Sequence, residues 1–329
     1  MRTSHLGLIS GLAICMGLTG LAAAAPAPPV LPRPSIEADE ANPQLIAGLE
    51  RRVIQVGGQG RVYYIHRPAS LRAGPAPIVI GLHGGNGTAL RRARQMGFNE
   101  IGDREGFIAV YPQGVDFGWN DGRVDRGVDD VQFFRALLDD LVARKDADPS
   151  RIYLVGGSNG GMMAQRLACD MTGRLAGVVT MVASLPEPLA KACSPKAPLP
   201  ILMMNGTADP LVPYGGGAVA ATTGREQGRV LPVEDTLAFW QRANRCADKP
   251  VRGTVPDRDP ADQIMTETVT WTACAGGSEV SFYKMNGAGH GLPGRSRNKS
   301  DIAEQLGGRS TNDFDSSEVA WAFLKRFKR

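Results

Sequence analysis

With 329 residues, 43% of them hydrophobic, the chain is long enough for one large domain or two small ones. Charged residues make up 21%, and the formal net charge is +4, falling to about +3 once a segment carrying Arg2 is removed. That balance argues neither for nor against an acidic partner. Basic side chains are scattered apart from Lys325, Arg326, Lys328 and Arg329, which read as the last turn of a helix with cations near its negative end. Charge patterning therefore offers no footprint for a nucleic acid.

Residues 1–25 have the order of a secretory signal: Arg2, an apolar stretch from Leu6 to Leu21, then Ala22-Ala23-Ala24-Ala25 ahead of Pro26. The apolar run of about 16 residues falls short of the ~20 a membrane span needs, and no basic stop follows it. Cleavage is expected, leaving a secreted chain, periplasmic or extracellular, with no membrane segment. Cys15 is preceded by Ile14, not by the small residue a lipoprotein signal carries. Without Cys15, the chain keeps Cys169, Cys193, Cys246 and Cys274, an even number that in an exported protein reads as two disulfides. Three connectivities are open. Cys169–Cys193 and Cys246–Cys274 are favoured, since each closes a local loop of about 25 residues. No CxxC pair or HxxxH spacing supports a metal site, and no cofactor is expected.

Residues 26–48, rich in Pro and Ala, read as an extended linker or ordered strap ahead of one catalytic domain over 49–329. Arg52–Val56 and Arg61–His66 flank Gly57-Gly58-Gln59-Gly60 as a hairpin. Short apolar strands at Ile78–Leu82, Phe107–Tyr111, Ile152–Val155, Gly177–Val182, Ile201–Met204 and Val280–Met285 then alternate with helical stretches. The helical stretches are Leu90–Arg104, Asp129–Arg144, Asn159–Cys169, Val233–Asn244 and the closing Asp315–Phe327. The alternation predicts an α/β fold: a mostly parallel central sheet with an N-terminal antiparallel hairpin and helices on both faces. Ligands of such sheets bind beyond the carboxyl ends of the strands, so the residues just after each strand matter most.

After Ile152–Val155 comes Gly156-Gly157-Ser158-Asn159-Gly160-Gly161, a G-x-S-x-G between a strand and a helix. A serine on so sharp a turn needs small neighbours, and the helix behind it presents its positive end to an oxyanion. Ser158 is the candidate nucleophile. Of the histidines, His66 lies on a hairpin strand and His83 directly follows an early strand. Only His290, in Gly289-His290-Gly291 after the last strand, occupies the place of the base in a Ser…Asp…His order. Asp209 follows Ile201–Met204 and falls between the two in the chain, so it is the candidate that orients the imidazole. The oxyanion hole is expected from the N–H of Asn159 and from Gly85 or Asn86 in His83-Gly84-Gly85-Asn86, with His83 organising that loop. Trp119 and Asn120 follow a strand and are candidates to line the cleft; a surface turn is the competing interpretation. Asp129 and Asp130 open a helix and read as caps.

These motifs together resemble the secreted polyhydroxybutyrate depolymerases and feruloyl-esterase-like α/β-hydrolases. The likeness runs from about Arg61 to His290 through Leu82-His83-Gly84-Gly85, Tyr111-Pro112-Gln113-Gly114, Trp119-Asn120, Val128-Asp129-Asp130-Val131, the serine motif, Gly206-Thr207-Ala208-Asp209, Val212-Pro213-Tyr214 and Gly289-His290. It implies the α/β-hydrolase fold, the triad Ser158, Asp209 and His290, and disulfides of the kind proposed. Family members carry Trp-Pro shortly after the histidine. Here Leu292-Pro293 stands there, so Leu292 is expected on one cleft wall and the substrate pocket to differ. Because the chain closes with the helix Asp315–Phe327, with no separate surface-binding module, soluble hydroxyalkanoate oligomers or small esters are expected before solid polymer. Feruloyl and acetylxylan esters are the alternative. A serine peptidase and a non-catalytic binding protein are the more distant rivals.

Overall fold

The computed structural model describes Met1 and residues 34–71, 74–220, 227–295 and 307–329. The signal segment expected over residues 1–25 lies, beyond Met1, outside the described residues. Two short helices, α1 (Ile36–Glu40) capped by Ser35 and α2 (Pro43–Ile46) capped by Asn42, form a strap. Asp39 on that strap is buried and accepts from Thr88 Oγ1 at 2.5 Å and Arg91 Nε at 3.0 Å.

The hairpin is β1 (Glu50–Val56) and β2 (Gln59–His66), paired Val56 to Gln59 around Gly57-Gly58. Both glycines have positive φ, +57° and +79°, which is the conformation a two-residue hairpin turn demands. The remaining elements of the core follow in alternation: β3 (Ala76–Leu82), α3 (Ala89–Met96), α4 (Phe98–Glu105), β4 (Ile108–Pro112), α5 (Asp130–Ala143), β5 (Ala147–Gly157), α6 (Asn159–Asp170), β6 (Gly177–Met181), α7 (Glu187–Ala192) and β7 (Ile201–Gly206). A small pair, β8 (Gly217–Ala218) and β9 (Arg229–Val230), precedes α8 (Val233–Ala243). The chain then adds β10 (Val251–Thr254), β11 (Met265–Trp271), β12 (Val280–Asn286) and a closing helix, Ser316–Leu324.

Ten strands form one sheet in the order β1-β2-β4-β3-β5-β6-β7-β12-β11-β10. The six from β4 to β12 run parallel, and antiparallel pairs finish both edges. Side chains alternate across it: Ile78, Ile80 and Leu82 face α5, α6 and α8, while Val79 faces α3, α4 and the closing helix. From β3 the chain moves outward to β4, then returns to β5 on the other side. The order reverses between β3 and β5, the crevice where open α/β sheets bind ligands.

Two details depart from the sequence reading. The single helix expected over Leu90–Arg104 is two, α3 and α4, separated at Gly97 (φ +63°), where a Cβ would strike the Arg295 guanidinium. The antiparallel edge β11–β10 was not anticipated, because one side of β11 is all threonine (Thr266, Thr268, Thr270) and the other includes Glu267, which leaves little hydrophobic signal. The disulfides Cys169–Cys193 and Cys246–Cys274 are formed as favoured, tying α6 to the end of α7 and α8 to the turn after β11. Among the described residues no helix is long and apolar enough to cross a membrane.

Candidate active site

Ser158 sits between β5 and α6 at φ 55°, ψ −128°, far from any relaxed conformation for a side chain with a Cβ. Its N–H donates to Met181 O at 2.9 Å, and its carbonyl accepts from Met162, opening α6. The strain is held by close packing. A Cβ on Gly160 would lie 2.4 Å from His83 O, and one on Gly156 would lie 2.2 Å from Gly160 O. Only glycine lets β5, α6 and the loop after β3 meet this tightly.

That loop, His83–Thr88, lies against the elbow. A Cβ placed on Gly84 would be 3.5 Å from Ser158 Cβ, and one on Gly85 would be 3.8 Å from Asn159 Cβ. Asn86 is held at φ 56°, the left-handed region that asparagine tolerates better than most. His83 is the pin. It is buried, its Nδ1 lies 2.8 Å from Gly84 O, and its Nε2 accepts the Gly114 N–H at 2.9 Å. A carbonyl on one nitrogen and an N–H on the other fix the neutral Nδ1–H form. Burial pushes its pKa down to about 3, against the contrary pull of the Gly84 carbonyl.

The segment after β4 locks the same loop from behind. Trp119 Nε1 donates to His83 O at 2.8 Å, and the two rings pack with centroids 4.8 Å apart. Trp119 and Asn120, candidates for the cleft lining, are both buried. They support the site from the interior and do not line it, because their hydrogen bonds turn the segment inward. Asn159 Oδ1 accepts from Trp119 N at 2.8 Å, and Asn159 Nδ2 donates to Asp121 Oδ2 at 2.6 Å. Asn120 N donates to Asp130 Oδ2, while Asp130 Oδ1 meets Arg61 Nη2 at 2.6 Å in a buried ion pair. Asp129 caps α5 by accepting from Gln132 N, but Asp130 serves this ion pair and not a cap. Gln113, part of the Tyr111–Gly114 motif, accepts from Ala89 N at 2.9 Å; neither it nor Asp121 was given a role from the sequence.

On the other side of the crevice, Asp209 follows β7 and His290 follows β12. Asp209 Oδ1 accepts from Leu211 N and Val212 N, both at 2.8 Å, which aims Oδ2 at His290 Nδ1, 2.7 Å away. The carboxylate is almost completely buried, and the imidazole is 12% exposed. Leu292 brings the histidine loop to the elbow: its Cδ2 would be 3.3 Å from a Cβ on Gly157. Among the described residues no hydrogen bond runs from Ser158 Oγ to His290; His290 Nδ1 is engaged by Asp209, leaving Nε2 for another partner. A surface groove lined by Leu202, Ser281, Tyr283, Phe323 and Arg326 lies near the starts of β7 and β12, at the opposite end of the strands.

Comparison with known proteins fits this frame. Residues 124–228 match the model of the Phospholipase/Carboxylesterase family. The chain is 32% identical over 311 residues to a protein named as an inferred esterase, NocK of Nocardia uniformis subsp. tsuyamanensis, covering 87% of this chain and 89% of that one. It is 27% identical over 221 residues to feruloyl esterase B of Piromyces equi, 65% of this chain and 39% of the other. It is 31% identical over 120 residues to poly(3-hydroxyalkanoate) depolymerase C of Paucimonas lemoignei, 34% and 28% respectively. The chain thus spans nearly all of NocK but well under half of the other two relatives. The solved acetyl xylan esterase of Aspergillus awamori superposes with TM-score 0.54 at 16% identity, over 74% of this chain and 93% of that one, a likeness of fold alone. A strained serine elbow on this sheet defines an α/β-hydrolase. The extent of the match to NocK places this chain in the esterase family of that fold, whose members are serine esterases.

Proposed function

We propose that the chain is an exported carboxylic ester hydrolase in which Ser158, His290 and Asp209 act together. The observation that carries this reading is the 2.7 Å contact between Asp209 and His290, on the same rim as the strained Ser158. With Nδ1–H held by Asp209, Nε2 accepts the Ser158 proton as Oγ bonds to the ester carbonyl carbon. The oxyanion takes hydrogen bonds from the Asn159 N–H and from Gly85 or Asn86. The imidazolium then passes its proton to the departing alcohol oxygen as the ester C–O bond breaks, leaving an acyl-serine. A water molecule, deprotonated by the same nitrogen, releases the acid. Serine–histidine contacts of this kind commonly tighten only when substrate is bound.

Hydroxyalkanoate oligomers are the substrate class this reading favours, supported by the motif resemblance and by the identity to the Paucimonas lemoignei depolymerase. Feruloyl or acetylxylan esters are the second reading. The match to the Piromyces equi enzyme favours it, because it covers a larger share of this chain. The two disulfides fit an oxidising compartment, in keeping with export.

Ser158→Ala is expected to lose hydrolysis of p-nitrophenyl acetate by up to ~10⁶-fold. A folded variant with wild-type turnover would rule out this serine. A panel of hydroxybutyrate oligomer, feruloyl ester, acetylated sugar and aliphatic ester then ranks the substrates by kcat/KM.

A further inference from the structure

The guanidinium of Arg92 is the charged group that the mechanism above leaves unused. Arg92 sits on the inward side of α3 with Leu90, Ala93 and Met96, and is only 7% exposed. Among the described residues, Nε and Nη1 are buried without a hydrogen-bond acceptor, and no carboxylate pairs with the side chain. Burial alone lowers its pKa, to about 10, so it is a cation at neutral pH. Leaving such a charge buried and unpaired is costly, and native folds seldom tolerate it without a purpose.

Its position suggests the purpose. Nη2 lies 3.5 Å from where a Cβ on Gly84 would stand, and Ser158 Cβ lies 3.5 Å from the same point. Arg92 Nη2 and Ser158 Cβ are therefore within about 7 Å of each other. Both Nη1 and Nη2 also face Gly157, at 3.6 and 3.5 Å from its Cβ position, beside Leu292. The absence of side chains at Gly84 and Gly157 is what allows this approach.

We propose that Arg92 forms a subsite for a carboxylate carried by the substrate, a few bonds from the ester being cleaved. This rests on the esterase reading and narrows it. Nη2, the guanidinium nitrogen not closed off from solvent, offers N–H donors to a carboxylate oxygen, with the delocalised charge behind it. The short reach suits an ester whose alcohol part is itself a small hydroxy acid with a free carboxylate two carbons from the ester oxygen. A 3-hydroxybutyrate dimer has that form; an acetylated sugar does not. In this assignment Arg92 selects the free end of a short hydroxy-acid oligomer.

The test compares the free-acid dimer of 3-hydroxybutyrate with its methyl ester, using the full chain as wild type, Arg92→Lys and Arg92→Met. The wild type is expected to favour the free acid by at least about tenfold in kcat/KM, chiefly through KM, as for a charge-assisted hydrogen bond. Arg92→Lys should keep part of that preference, and Arg92→Met should bring the ratio close to one. A wild-type ratio near one, or an unchanged ratio in Arg92→Met, overturns the proposal. The ratio cancels any general loss of activity, and a wild-type value near one is decisive even where neither variant folds. Wild-type failure on p-nitrophenyl acetate would defeat the esterase reading itself. Turnover of that neutral ester with a ratio of one defeats the carboxylate subsite alone.

Discussion

Asn159 Nδ2 donates to Asp121 Oδ2 at 2.6 Å, so the side chain next to the elbow serine is held by a carboxylate from a different loop. The Asn159 amide also bonds Trp119 at both its oxygen and its nitrogen. These contacts hold the side chain of the residue whose backbone N–H is the first donor proposed for the oxyanion.

Asn159→Ala keeps that N–H but removes these side-chain contacts. The expected result is a fall in kcat of roughly 10–100-fold with little change in KM, short of the ~10²–10³ for complete loss of a donor. Steady-state kinetics on p-nitrophenyl acetate check this, and a kcat within twofold of wild type would show that the clamp is irrelevant to turnover.

His83 gives the fold an acid-sensitive point. Its folded pKa is held down to about 3, whereas the unfolded chain takes up a proton near the ordinary 6.5. Between those values the unfolded state binds more protons. This contribution is therefore fully present above about pH 6.5 and is lost as pH falls toward 3, at up to ~1.4 kcal/mol per unit. His83→Gln removes the titrating group. Urea unfolding at pH 6.5 and 4.5 should show the wild type losing roughly 2–3 kcal/mol more than the variant over that interval. Equal losses would mean that burial of this imidazole is not felt in stability.

Arg61 and Asp130 form an ion pair with side chains 5% and 1% exposed, and Arg61 also lies over the Phe133 ring. Removing one member strands the other charge. Arg61→Met or Asp130→Asn alone is expected to destabilise by ~3–5 kcal/mol, and the double variant by less than the sum of the two. Chemical denaturation of all four proteins closes the cycle. Additive losses would show the two charges to be independent.

That Ser158, Asp209 and His290 stand beyond strand ends was legible because each follows a short apolar strand, and strand ends in a parallel sheet lie along one rim. The inward turn of Trp119 and Asn120 was not legible. Their burial comes from contacts with His83, Asn159 and Asp130, far apart in sequence, and no local pattern separates such a segment from a surface turn. Arg92 was hidden for the opposite reason. A charge on the apolar side of α3 breaks the helical periodicity and reads as solvent-facing. The break at Gly97 was equally obscure, since either side of it keeps helical spacing and the obstacle, Arg295, arrives from the other end of the chain.

Gly160 has one further consequence. A single methyl group there would collide with the carbonyls of Leu82 and His83, so the serine turn and the loop facing it are packed backbone to backbone. Substitution at this glycine therefore shifts both segments at once. The opposite bank meets this wall through a side chain, the Leu292 methyl beside Gly157, so a change of bulk there alters the cleft without a collision of backbones.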